Sequence, residues 1–125
     1  MDKLAVLITT PPYSNLTVTA IDYIEAALRL NVNIVGVFFY QDGALHANSN
    51  IHIASDEYQA VAKLTQLHQE FGLALHLCIT AAEKRGIACD ALSEGSAINI
   101  NPIFTVSGLG ELVSLTTNST RLVQF

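Results

Sequence analysis

The chain has 125 residues, half of them apolar, which is the size and composition of one globular domain with its own core. Eleven acidic against six basic side chains leave a net charge of −5, without the basic footprint of direct nucleic-acid binding, so protein or small-molecule partners are expected. Only five apolar residues, Leu4 to Ile8, follow Asp2 and Lys3, unlike a secretory leader, and the longest apolar run, Ile34 to Tyr40, is too short for a membrane span; a cytoplasmic protein without membrane contact is expected.

Lys3 to Thr9 is a Leu, Val and Ile run closed by Pro11 and Pro12, the pattern of a strand buried on both faces as in a parallel sheet. Val18, Ile21, Ile24, Ala27 and Leu28 recur at helical spacing behind Thr17, a suitable N-cap. Asn33 to Tyr40 is again β-branched and aromatic, which makes a strand-helix-strand crossover, right-handed by rule. Gln41 to Ser55 is a long polar connection holding His46 and His52, read as solvated loop histidines because no zinc-type ligand spacing surrounds them.

Asp56 and Glu57 suit the opening of a helix whose apolar stripe is Tyr58, Val61, Leu64, Leu67 and Phe71 and whose stop is Gly72. His68 lies beside that stripe and needs no special role. Leu73 to Ile79 reads as the third strand. A short helix is predicted between Ile87 and Asn101, a fourth strand over Pro102 to Val106, a helix over Ser107 to Leu115 and a last strand over Arg121 to Phe125. This alternation predicts a three-layer α/β domain, residues 1 to 125, with a mainly parallel five-stranded sheet.

Cys78 stands where the third strand meets the next helix. Thr80, Ala81, Ala82 and Glu83 form a capping-box pattern, and Lys84 and Arg85 precede the stop at Gly86. The carboxyl edge of an open α/β sheet is where reactive groups gather, and a thiol near a helix start can gain thiolate character. A buried cysteine serving as a small hydrophobe fits the same position. Cys78 and Cys89 form no CxxC pair, so free thiols are expected, with Cys89 as a candidate resolving thiol.

His76 falls on the same strand face as Cys78, which permits a Cys and His pair, although a histidine packed in the sheet layer explains it too. Ser107, Gly108, Leu109 and Gly110 make a GxG turn into a helix, able to hold a phosphate or to serve as a tight turn.

Taken together, VFFYQDGALHAN (Val37 to Asn48), SDEY (Ser55 to Tyr58), the Cys78 strand, SGLGEL and the terminal RLVQF resemble the TusD-like members of the DsrE-like sulfurtransferase family, over Leu4 to Phe125. The resemblance implies a sulfur-relay subunit that carries a persulfide on Cys78, takes sulfur from a TusA-like donor and passes it to a TusE-like acceptor for 2-thiolation of the transfer-RNA wobble uridine. It also implies assembly with TusB-like and TusC-like subunits into a heterohexamer, and no cofactor or metal. Asn48 and Ser55 are candidates for shaping the loop over the site, and Thr80 for steadying the anion. The alternative is a non-catalytic structural subunit, or one that binds a small anion or nucleotide, within a DsrE-like complex.

Overall fold

In a computed structural model, which describes residues 2–89 and 98–125, the apolar runs become strands that pair side by side. The strands are β1 (Lys3–Ile8), β2 (Asn33–Phe39), β3 (Leu75–Cys78), β4 (Thr105–Ser107) and β5 (Arg121–Gln124). They lie in the order β4-β3-β2-β1-β5, and every pairing between these strands is parallel. The helices are α1 (Asn15–Arg29), α2 (Ala60–Phe71), α3 (Ile79–Glu83) and α4 (Leu109–Thr117).

The order dictates the layers. From β1 to β4 each crossover steps in one direction, so right-handed connections keep α1, α2 and the segment leaving β3 on one face of the sheet. The return from β4 to β5 runs the other way and puts α4 on the opposite face. Side chains agree with this. A Cβ added to Gly36 would lie 2.9 Å from Leu115 of α4 and 3.2 Å from His76. Phe39, on the other face, packs edge-on against Phe104 of the β3-to-β4 crossover, with ring centroids 5.0 Å apart. The register carries Leu7, Phe38, His76 and Thr105 along the α4 face and Ile8, Phe39, Leu77 and Val106 along the other. This is the expected three-layer α/β arrangement on a five-stranded parallel sheet.

Several boundaries differ from the sequence reading. α1 starts at Asn15, capped by Ser14, whose hydroxyl accepts from the Leu16 amide at 3.2 Å. Thr17 lies inside the helix, fully buried, and its hydroxyl donates to the Pro11 carbonyl at 2.7 Å, which satisfies it without a capping role. α2 starts at Ala60, leaving Asp56, Glu57 and Tyr58 outside it. There the Gln59 side-chain Nε2 shares its two hydrogens among the carbonyls of Ile53, Ala54 and Glu57, which holds the preceding segment as a turn. Gly72 ends α2 in the left-handed region, as its position predicts.

β3 is shorter than expected because Ile79 already belongs to α3. β4 begins three residues later than expected, since Asn101 folds Pro102 to Phe104 into a turn by accepting from the amides of Ile103 and Phe104. α4 starts at Leu109 rather than Ser107, with Gly108 as its cap. The short helix expected between Ile87 and Asn101 falls mainly on residues 90–97, outside the described residues.

The polar connection after β2 is not a plain loop. Gln41–Ala47 winds into a 3-10 segment, and Gly43, Ala44, His46 and Ala47 are buried. Gly43 permits this, since a Cβ there would come within 2.1 Å of the Ile8 carbonyl oxygen. Backbone cannot yield as a flexible side chain can. Gly43→Ala is therefore expected to destabilise the protein by about 1–3 kcal/mol, the range of overpacking a close-packed site, measured as a fall in urea midpoint at unchanged m-value. A variant as stable as the parent would show that the 3-10 segment is not seated under β1.

Candidate functional site

Cys78 is the last residue of β3 and the N-cap of α3, in extended backbone conformation. Its register partner on β4 is Ser107. β3 leaves the sheet toward one face and β4 leaves toward the other, so their carboxyl ends flank the place where the winding reverses. In open α/β sheets that is the crevice in which ligands sit. Cys78 shares the α4 face with His76 and is only 1% exposed, inside the core. Neither Cys78 nor Cys89 is in a disulfide.

The capping box does not form. Because the strand continues to Cys78 and the helix follows at once, Thr80 is the second helical residue, and its carbonyl accepts from the Lys84 amide at 3.2 Å. No side-chain hydrogen bond caps the helix, so the anion-steadying role expected of Thr80 has no such geometry behind it. Lys84 and Arg85 do flank an open cleft of about 220 Å3 with Tyr40, Gln41, Thr80 and Ala81. Arg85 is held there by Asp42 at 3.0 Å and by the Ala81 carbonyl at 3.0 Å. Gly86 turns the chain in the left-handed region.

His76 has partners that its position in sequence does not announce. Its Nδ1 lies 3.3 Å from Ser107 Oγ, and its Nε2 lies 3.6 Å from Glu111 Oε1 in the first turn of α4. Ser107 was legible only as part of a GxG turn, and Glu111 only as the residue that follows it. A Cβ on Gly108 or Gly110 would meet nothing within 4 Å, so crowding does not require glycine at either position.

The remaining histidines divide. His52 is exposed, as expected. His68 Nδ1 lies 2.7 Å from the Leu73 carbonyl and ties the end of α2 to the next segment. His46 corrects the sequence reading: it is buried, its ring 5.2 Å from that of Phe39 and its Nε2 3.0 Å from the Thr10 carbonyl. The carbonyl requires the hydrogen on Nε2, and Nδ1 finds no partner among the described residues. Burial lowers its pKa to about 4. Asn48 anchors the same loop by accepting from the Asn50 amide, while Ser55 lies exposed in a turn. Among the described residues no cluster of His, Cys, Asp and Glu could hold a metal ion, and no helix is long and apolar enough to cross a membrane.

A sequence profile described as the DsrE/DsrF-like family matches residues 2–125. Curated relatives similar to this chain include a protein named Sulfurtransferase TusD from Klebsiella pneumoniae, 36% identical over 98% of this chain and 99% of its own length. Those of the same name from Salmonella arizonae (34%; 98% and 99%) and Yersinia pestis (36%; 98% and 97%) are comparably close. Among solved structures, the ychN protein from E. coli superimposes with a TM-score of 0.79 over the whole of both chains at 17% identity, a likeness of fold.

His46 makes stability depend on pH with a defined sign. Its folded pKa of about 4 lies below the ordinary value of 6.5, so between these values the unfolded chain binds the proton and the native state does not. The contribution is fully present above pH 6.5 and lost as pH falls toward 4, by about 3 kcal/mol in total. His46→Asn is expected to shrink that loss in urea unfolding at graded pH, compared with the parent. Parallel pH profiles for the two proteins would count against it.

Proposed function

The chain belongs to the DsrE/DsrF-like family, and from that premise we propose that it is a sulfurtransferase of a sulfur relay, holding the sulfur in transit as a persulfide on Cys78. The observation that carries this reading is the placement of Cys78 at the carboxyl end of β3, paired with Ser107 beside the reversal of the sheet's winding. The name shared by the curated relatives supports the reaction class. The finer assignment is a TusA-like donor, a TusE-like acceptor, assembly with TusB-like and TusC-like subunits, and a cytoplasmic contribution to 2-thiolation of the wobble uridine in transfer RNA. The net charge of −5 fits a step that precedes contact with RNA.

In this mechanism the Cys78 thiolate attacks the outer sulfur of the donor persulfide. A bond forms between the two sulfurs, the donor's sulfur-sulfur bond breaks, and the donor leaves as a thiol. An acceptor thiolate then attacks the sulfur now on Cys78 and regenerates it. Sulfur is nucleophile and leaving group throughout, so the chemistry needs no oxidant. A side chain 1% exposed cannot meet a partner protein's sulfur directly. Loading therefore includes a local opening at the β3-to-α3 junction, next to the cleft lined by Lys84 and Arg85.

The same burial favours a second reading, a structural subunit whose Cys78 is packing only. The two diverge in a loading experiment. Incubated with a persulfidated donor, the parent is expected to gain one sulfur on Cys78 by mass spectrometry, Cys78→Ser to gain none there, and Cys89→Ser to load as the parent does. Equal loss in both variants would sink the one-cysteine mechanism. A Cys78 that neither loads nor reacts with iodoacetamide would establish the structural subunit.

A further inference from the structure

Resting on that reading, we propose that Ser107, His76 and Glu111 form a proton relay that serves Cys78, with Ser107 and His76 moving the proton and Glu111 positioning the imidazole. The argument begins with burial. Cys78 is 1% exposed, so its thiol cannot exchange a proton freely with water in the closed protein. The His76 side chain is 16% exposed and that of Glu111 is 36% exposed. From Cys78 the groups on this face lead outward to solvent in steps.

The register places Ser107 beside Cys78, and the contacts join Ser107 to His76 and His76 to Glu111. Ser107 is opposite Cys78 on the neighbouring strand, where same-face side chains of paired residues are neighbours. Its Oγ lies 3.3 Å from His76 Nδ1 and 3.4 Å from the Thr105 carbonyl, so its one hydrogen has two acceptors and its lone pairs can take a third group's proton. Glu111 Oε1, 3.6 Å from Nε2, favours the tautomer with hydrogen on Nε2 and leaves Nδ1 to accept. The imidazole is fixed between β2 and α4, close to Gly36 and the Leu115 side chain. Among the described residues, Glu111 is the ionisable group paired with His76.

The step balances without any further reagent. The Cys78 thiol gives its proton to Ser107 Oγ as the Ser107 hydrogen passes to His76 Nδ1. The thiolate pair then bonds to the outer sulfur of a persulfide R–S–SH, the R–S to S bond breaks, and R–S⁻ recovers the proton from His76. The products are Cys78–S–SH and R–SH, with no net oxidation or reduction.

The test reads two rates in a Cys89→Ser background: alkylation of Cys78 by iodoacetamide across pH, and single-turnover loading from glutathione persulfide. Ser107→Ala and His76→Asn are expected to slow both by about a hundredfold, the lower end of what proton-transfer groups contribute, with unchanged half-saturation for the persulfide. The alkylation profile against pH is expected to change shape in both. Ser107→Thr keeps the hydroxyl and is expected to restore the rates, and Glu111→Gln is expected to fall between the parent and His76→Asn in both rates and profile. Parent-like rates and profiles in Ser107→Ala and His76→Asn, confirmed as folded by thermal melting, would overturn the relay. If the parent fails to load sulfur while the alkylation effects appear, the relay stands and the sulfur-transfer reading falls.

Discussion

The return of the chain to β1 for its last strand is the constraint on which the rest of the architecture depends. β2 occupies one edge of β1 early, and β5 takes the other after a sequence separation of more than a hundred residues. The Thr9 amide donates to the Phe125 carbonyl at 2.8 Å and the Phe125 amide to Leu7 at 2.9 Å, closing that pairing at its carboxyl end. To reach this position from β4 the chain must cross the whole sheet against its earlier direction. That one crossing places α4 on a face of its own, lays Leu115 and Glu111 over Gly36 and His76, and leaves the ends of β3 and β4 pointing to opposite sides.

What could be read in the sequence was what local physics decides. Continuous apolar runs such as Lys3 to Ile8 announced a sheet covered on both faces, and Gly72 and Gly86 announced left-handed stops that the backbone adopts. Where two local answers competed, tertiary packing chose. Thr17 is a good cap by residue type, but it is drawn into the Pro11 turn, and Ser14 caps the helix instead. Thr80 had a capping box available, yet β3 extends to Cys78 and the helix begins before the box can form. His46 looked solvated because it lies in a long connection that is polar as a whole and has no metal-ligand spacing; its burial goes with Gly43 approaching the Ile8 carbonyl, a long-range contact.

The candidate site divides along the same line. Cys78 was visible as a strand-end cysteine, and the shared face with His76 followed from a spacing of two. Ser107 and Glu111 were not recognisable as partners of His76, because only the strand order brings β4 beside β3 and only the reversed crossing brings α4 over both. The resemblance to a family supplied the reaction class, but the polar groups on the cysteine's own face belong to the folded chain. A fold shared with a protein 17% identical offers no guide to them.

The β1–β5 pairing also bears on how the protein is made. Contacts of such long sequence separation form late, because a large loop must close before they reward it. As synthesis proceeds, β1, β2 and β3 with α1 and α2 can assemble while the sheet face carrying Leu7, Phe38 and Cys78 still lacks α4. The nascent domain thus presents an apolar surface with the Cys78 thiol at its margin until its final segment docks. A cysteine inaccessible in the finished protein is, for that interval, open to oxidation and to premature association with other apolar surfaces.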